Sequence, residues 1–163
     1  MSDFCMEGGC ACGDVRYQIA IKPMFVHCCH CRDCQRLSGS AFAINALVES
    51  THVHLSQGDT ETITVPTPSG MGQQICRCST CKTAVWSYYG GAGDKNSFIR
   101  VGSLDEPDLL PPDIHIFTRS KQPWVILPEG VPAVKAFYNP KEYWPEESLD
   151  RRKVLYEPAS DKP

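Results

Sequence analysis

The sequence predicts a mainly β protein, built of antiparallel sheets with few and short helices. Several short segments alternate apolar and polar side chains with the two-residue period of a half-buried strand. Gly, Pro, Asp and Asn separate these segments, which lie too close together for the crossover helices of parallel sheets. Cysteines in three tight clusters add the pattern of a metal-binding protein. We therefore expect sheets packed as a sandwich or an open barrel.

The strand pattern starts at residues 15–21, where Val15, Tyr17, Ile19 and Ile21 alternate with other residues until Pro23. Turn residues and prolines bound the later segments in the same way. Further strands are predicted at residues 42–48, 51–55, 60–65, 84–89, 97–101 and 114–118.

Two segments have helical signals. Residues 32–37 suit a helix of one or two turns that ends at Ser38-Gly39, because glycine favours the left-handed conformation that closes a helix. In the tail, Pro145-Glu146-Glu147 suits a helix start and Arg151-Arg152-Lys153 its carboxyl end. This second helix has few apolar residues, so we expect it to dock on the domain or to fray.

Length and composition favour one globular domain over residues 1–163. The hydrophobic fraction of 42% and charged fraction of 21% are ordinary for such a domain. No apolar run approaches the roughly 20 residues of a membrane span, so no membrane partner is expected. A net charge of -3 with no clustered basic face argues against nucleic acid as a partner.

Seven of the ten cysteines lie in the clusters Cys10-Ala11-Cys12, Cys29-His30-Cys31-Arg32-Asp33-Cys34 and Cys78-Ser79-Thr80-Cys81. Disulfide frameworks belong mainly to short secreted chains. This chain starts without the basic and apolar regions of a secretory signal, which predicts reduced thiols and a cytoplasmic location.

The cluster spacings predict two zinc sites. In an extended C-x-C both side chains project from one face, and C-x-x-C reaches one metal around a tight turn. Structural zinc has four ligands, whereas working zinc keeps three and leaves one position open. The outer pairs are predicted to hold a structural zinc through Cys10, Cys12, Cys78 and Cys81. The middle triplet is predicted to hold a second, more labile zinc with an open position, through Cys29, Cys31 and Cys34.

The triplet lacks a fourth ligand. The candidates are the side chains of His27, Cys28 and Cys76, an exogenous thiol, or water. His30 lies between two predicted ligands, so its imidazole should point away from them. The remaining histidines are expected to be structural or surface residues: His52, His54 and His115. The remaining cysteines are expected to be inert thiols: Cys5, Cys28 and Cys76.

The sequence resembles the glutathione-dependent formaldehyde-activating enzyme family, which includes centromere protein V. The similar stretches cover about residues 7–124 and leave the tail, 125–163, unassigned. They are Gly8 to Tyr17, Cys29 to Phe42, Cys78 to Cys81, Gly102 to Asp105, Pro112 to Phe117, Ser120-Lys121 and Trp124. Two positions depart from the family pattern: Lys82 replaces a glycine that would serve a left-handed turn, and Arg77 replaces an aromatic residue. Extra thiols also stand beside ligand positions at Cys28 and Cys76.

The resemblance implies a β-tent fold, structural zinc at the outer pairs and a second zinc at the triplet. It also implies a carbon-sulfur lyase that combines glutathione, or a similar thiol, with formaldehyde to give S-hydroxymethylglutathione. The alternative is a zinc-stabilised carrier of thiol adducts, or a protein-binding module, without catalysis.

Overall fold

The computed structural model describes residues 4–157, which contain ten strands and three α-helices. The strands are β1 (Met6–Gly9), β2 (Arg16–Ile19), β3 (Phe25–Cys29), β4 (Ala43–Glu49), β5 (Val53–Gln57), β6 (Thr60–Val65), β7 (Gln73–Cys78), β8 (Ala84–Tyr89), β9 (Asn96–Arg100) and β10 (Ile114–Ile116). The helices are α1 (Arg32–Ser38), α2 (Pro140–Tyr143) and α3 (Glu146–Tyr156). None of the helices in this part of the chain has the length and hydropathy of a membrane-spanning segment.

The strands form two sheets. One has three strands in the order β1-β2-β5, and the other has seven in the order β10-β3-β4-β9-β8-β7-β6. Neighbouring strands are antiparallel except for β3 and β10, which are parallel. The mainly β class with antiparallel sheets is therefore confirmed, and the parallel pair at the sheet edge is an addition that the local pattern did not indicate.

The predicted strands match the observed ones to different degrees. Strands β6 and β8 have the predicted bounds of 60–65 and 84–89. The segment predicted at 51–55 starts later, at Val53, because a short 3-10 helix occupies Ser50–His52. Three strands were not predicted: β1, β3 and β7. The first contains two glycines, β3 is buried on every residue and so lacks alternation, and β7 carries polar residues at its start.

A core fills the space between the two sheets. Its residues come from β2 and the residue before it on one side, and from β3, β4, β8 and β9 on the other: Val15, Tyr17, Ile19, Val26, Ala46, Val48, Val85, Trp86 and Ile99. The Tyr17 ring is buried edge-on against Trp86, and its hydroxyl bonds Ser103 Oγ at 2.7 Å. A side chain on Gly8 would meet the Ser103 carbonyl oxygen at 2.7 Å, so this close approach of β1 requires glycine.

The tail covers the other face of the large sheet. Residues there form a second core: Phe25, Leu47, Ile114, Ile116, Tyr138 and Trp144. Helix α3 docks through Ser148 Oγ, which donates to the Met24 carbonyl at 2.7 Å, and through Arg151. The guanidinium of Arg151 donates to both carboxylate oxygens of Glu49, at 2.7 and 2.6 Å. The tail helix is thus present and docked, while residues 158–163 of the unassigned tail lie outside the described residues.

We predict that Arg151→Ala lowers the free energy of unfolding by about 2–3 kcal/mol, because it leaves the buried Glu49 carboxylate unpaired. Lys153→Ala is the matched control: its amine contacts Glu157 only at 3.9 Å and is mostly exposed, so the change should be small. Denaturant unfolding of the three proteins measures the difference. Equal losses in both variants would contradict the docking role of the Arg151 pair.

The same pair predicts an acid dependence of stability. Burial raises the pKa of Glu49, but the Arg151 guanidinium outweighs this and holds the pKa below its ordinary value. The stabilisation is therefore present above the ordinary pKa of a glutamate and is lost as pH falls through the lowered value. Arg151→Ala should lack this part of the acid-induced loss when unfolding is followed from neutral to acidic pH.

Candidate functional site

The outer cysteine pairs meet between the two sheets. Cys10 and Cys12 lie in the turn between β1 and β2, whereas Cys78 ends β7 and Cys81 lies in the turn that leads to β8. The four sulfurs lie within 4.8 Å of one another. Cys10 and Cys12 are separated by 3.4 Å and Cys12 and Cys78 by 3.8 Å. Sulfurs around a tetrahedral zinc, at about 2.3 Å from the metal, are about 3.8 Å apart, so the geometry fits a metal ion.

Hydrogen-bond donors surround these sulfurs. The N–H of Val15 donates to Cys10 Sγ at 3.2 Å, and the N–H groups of Thr80 and Cys81 donate to Cys78 Sγ at 3.3 and 3.4 Å. The hydroxyl and backbone of Thr83 lower the pKa of Cys81 to about 5. Because metals bind thiolates, donors aimed at sulfur prepare the cluster for a cation.

The two departures from the family pattern meet at one carboxylate. Lys82 has a φ of 65°, which lies in the left-handed region that favours glycine. Its amine donates to Glu61 Oε2 at 2.9 Å and to the Ser79 carbonyl at 2.7 Å. Arg77 Nε donates to Glu61 Oε1 at 2.6 Å. Lys82 and Arg77 therefore share Glu61 as a partner on β6 beside the cysteine turn.

The middle triplet lies where β3 passes into α1. Its three sulfurs are within 4.8 Å of one another, with Cys29 and Cys34 buried and Cys31 partly exposed. Cys31 is the N-cap of α1, and its sulfur accepts the N–H of Cys34 at 3.3 Å. Gly39, with a φ of 64°, closes the helix as the sequence predicts.

The pKa values of the three triplet thiols are shifted in different directions. The thiols of Cys29 and Cys34 and nearby backbone N–H groups lower the pKa of Cys31 to about 2. The neighbouring thiols and burial raise the pKa of Cys29. For Cys34, contact with Cys29 lowers the pKa, but Cys31 and burial outweigh it and raise the pKa to about 11. Ionisation is therefore most favourable at Cys31, and a divalent cation bound by all three sulfurs would displace the remaining protons.

None of the three protein candidates for a fourth ligand reaches the triplet. His27 Nε2 bonds the Tyr138 hydroxyl, Cys28 Sγ lies 3.6 Å from His30 Nε2, and Cys76 Sγ bonds the Thr62 hydroxyl at 3.4 Å. Within residues 4–157, no fourth Cys, His, Asp or Glu joins the three sulfurs. His30 turns away from the triplet toward Cys28, in the direction that the sequence pattern indicates.

A cavity of about 250 Å³ borders the triplet. Its lining is mostly apolar and includes one cysteine of the triplet and one cation: Cys34, Leu37, Ser38, Ala43, Ile75, Ala84 and Arg100. Arg100, at the end of β9, donates to Asn45 Oδ1 on β4. No local sequence pattern indicates this arginine, because its place beside Cys34 depends on the pairing of β9 with β4.

Comparison with known proteins identifies the family. The family model for the glutathione-dependent formaldehyde-activating enzyme matches residues 5–120. The chain belongs to this family. The matched part contains all three cysteine clusters and strands β1 to β10, whereas α2 and α3 lie beyond it. The family resemblance is thereby confirmed over residues 7–120 of the stretch 7–124 in which the sequence shows it.

Similarity beyond the family model is weaker. A crystal structure of a Rhodobacter sphaeroides protein from a structural genomics programme has a TM-score of 0.46 and 18% sequence identity to this family member. The match covers 66% of this chain and 97% of that chain. No curated protein matches the sequence.

The left-handed turn at Lys82 yields a prediction. Lys82→Gly should be more stable than Lys82→Ala by about 1 kcal/mol, because glycine alone adopts this φ without strain. Both variants lose the contact with Glu61, so their difference isolates the backbone. Denaturant unfolding of the metal-loaded proteins measures it, and equal midpoints would show that the turn carries no strain.

Proposed function

We propose that the protein is a zinc-dependent enzyme of the carbon-sulfur lyase type, which joins glutathione or a similar thiol to a small aldehyde such as formaldehyde. The observation that carries the proposal is the triplet itself. Three sulfurs converge, the cysteine Cys34 among them lines a cavity, and the described part of the chain supplies no fourth ligand to the three. Membership of the family supports the same reaction class.

We propose that both cysteine clusters bind zinc. Thiolate sulfur selects soft or borderline metals, and four sulfurs at tetrahedral spacing are typical of structural zinc. Cys10, Cys12, Cys78 and Cys81 would hold the structural ion. Cys29, Cys31 and Cys34 would hold the second, and we take them as the residues on which catalysis depends.

Zinc in the triplet would lower the pKa of a thiol bound in its fourth position and supply a thiolate at neutral pH. The chain's own part is to position that thiol. Leu37, Ile75 and the two alanines give the cavity apolar walls for the carbon chain, and Arg100 offers a guanidinium to a carboxylate.

The chemical step is an addition. The thiol sulfur attacks the aldehyde carbon, a carbon–sulfur bond forms, and the carbonyl π electrons move to oxygen, which takes up a proton equivalent to the one that the thiol lost. The charge of the triplet favours turnover: three thiolates around a divalent ion leave one net negative charge, which weakens the hold on a further thiolate.

A second candidate function is a carrier of thiol adducts without catalysis. The observation that favours it is the lining of the cavity, which contains no His, Asp or Glu among the described residues to move a proton. A carrier would bind the thiol and its aldehyde adduct in the same place without accelerating the addition.

We predict that Cys31→Ala and Cys78→Ala separate function from folding. Cys31→Ala should lose the second zinc and thiol binding but keep most of its stability. Cys78→Ala should lose a structural zinc and unfold at much milder conditions, because structural zinc contributes ~10–16 kcal/mol of apparent binding energy against a domain stability of ~5–15 kcal/mol. Metal analysis, thermal unfolding and calorimetric titration with glutathione measure the three properties.

Cys76→Ala is the matched control, because Cys76 is a buried thiol outside both clusters. The exchange rate of glutathione with formaldehyde, corrected for the uncatalysed reaction, then separates the two candidate functions. Equal glutathione binding by Cys31→Ala and wild type would overturn the role of the triplet. Binding without rate enhancement would favour the carrier.

We also predict that Arg100 selects thiols that carry a carboxylate. Arg100→Gln should weaken glutathione binding by about 10- to 100-fold, the value of a charged hydrogen bond, and leave 2-mercaptoethanol binding unchanged. Arg36→Gln removes an exposed charge from α1, near the same cavity, and should bind both thiols like wild type. A parallel loss for both thiols in Arg100→Gln would assign the arginine a structural role instead.

A further inference from the structure

A third group of metal-ligand side chains lies outside both cysteine clusters. Cys28, His30 and His115 each place one ligand atom within 4.8 Å of the other two. Their exposed fractions are 1%, 0% and 6%. The group is therefore enclosed by protein, unlike surface histidines that come together by chance.

The fold fixes this group through strand pairing. In the parallel register of β3 and β10, His115 stands directly opposite Cys28. His30 follows two residues after Cys28, so it points to the same side of the chain. Its N–H bonds the Ile116 carbonyl at 3.0 Å, which extends the pairing of the two strands past the end of β3. Cys29 and Cys31 point the other way, into the triplet.

Three lone-pair atoms converge on one point. His30 Nε2 lies 2.9 Å from His115 Nδ1 and 3.6 Å from Cys28 Sγ. The nitrogens are much closer than the ring centres, which are 5.2 Å apart, so the rings meet edge to edge. His30 Nε2 carries either one proton or one lone pair and cannot serve both neighbours fully.

In each ring, the nitrogen that points away from the other ring also lacks a hydrogen bond within the described residues. His30 Nδ1 and His115 Nε2 are buried and have no hydrogen-bond partner among residues 4–157. When the outer nitrogen of each neutral ring holds the proton, both inner nitrogens present lone pairs to the space beside Cys28. This is the tautomer that a metal ion requires of histidine, and in it both outer N–H groups stay without a partner among the described residues.

We propose that Cys28, His30 and His115 form a third metal site, which binds a divalent transition ion of the zinc type through one thiolate and two imidazoles. It goes beyond the proposed function, which uses only the two cysteine clusters. The nitrogen–sulfur distance of 3.6 Å equals the spacing expected around a tetrahedral zinc with bonds of about 2.0–2.1 and 2.3 Å. The two nitrogens must separate by roughly half an ångström to reach tetrahedral spacing.

The charge balance of this site is favourable. Binding a divalent ion releases one proton, from the Cys28 thiol, and moves the ring protons to the outer nitrogens. One thiolate with a divalent ion gives a net charge of plus one. The neighbouring triplet, when loaded, carries minus one. Two opposite charges on either side of β3 attract, so each site favours occupation of the other.

The test uses cobalt in place of zinc in the full chain, loaded without oxygen. Neither cysteine cluster contains a histidine, so imidazole coordination reports this site alone. We expect two exchangeable ring N–H protons with strongly shifted proton resonances, one for each coordinated histidine. Cys28→Ser and His115→Gln should lose both signals, and Cys28→Ser should bind one zinc fewer by metal analysis.

Two controls isolate the proposal. Cys76→Ser should keep both the signals and the zinc content of wild type. Cys31→Ala should keep the imidazole signals, so failure of the proposed enzyme function can be told apart from failure of this site. The proposal is overturned if cobalt-saturated wild type shows no shifted imidazole N–H, a result that needs no variant to fold. It is also overturned if Cys28→Ser keeps the signals and the full zinc content.

Discussion

The burial of strand β3 on both faces is the constraint on which the rest of the site depends. Its backbone pairs with β4 on one side and with β10 on the other, and all five residues are buried. A strand held on both sides cannot slip by one residue without turning every side chain to the wrong face. The residues at its end therefore emerge in fixed alternation, with Cys29 toward the triplet and Cys28 toward His115. The pairing of β3 with β4 and β10 thus decides the side of the sheet on which each of these side chains lies.

The outer cysteine pairs lie where the two sheets meet. They lie at turns of different sheets. Few polar side-chain contacts join β2 to the residues that follow β9. Tyr17 reaches Ser103, and Arg16 pairs with Asp105 in a partly exposed position. Exposed ion pairs contribute little, so the packing of Tyr17 and its neighbours carries the contact between the sheets. An ion shared by the two turns would act as a cross-link between the sheets, whereas an ion in the triplet would join only the end of β3 to its own helix.

Local sequence patterns predicted what depends on neighbours in the chain. Helix α1 was predicted from its position after the first cysteines of the triplet and from Gly39 at its end. Strands β6 and β8 were predicted from alternation bounded by turn residues. The pattern did not predict β3, because a strand buried on both faces has no polar side and therefore lacks the alternation that marks a half-buried strand. Arg100 beside Cys34 and His115 opposite Cys28 depend on pairings across many residues, between β4 and β9 and between β3 and β10. Such registers are decided by the packing of the whole sheet, which no local pattern contains.

The residues that depart from the family pattern have different surroundings in the fold. Lys82 and Arg77 share Glu61, and the Lys82 amine also donates to the Ser79 carbonyl within its own turn. Cys76 is accommodated in the sheet, where the Thr62 hydroxyl is its partner. Cys28 is different, because it adds a sulfur at a point where two imidazoles already meet, and His30 Nε2 cannot bond both Cys28 Sγ and His115 Nδ1 fully. A buried polar group without full satisfaction costs about 1–3 kcal/mol, and a sequence that keeps such a group must offset that cost elsewhere. A cation that accepts all three lone pairs at once is the ligand whose chemistry matches that arrangement.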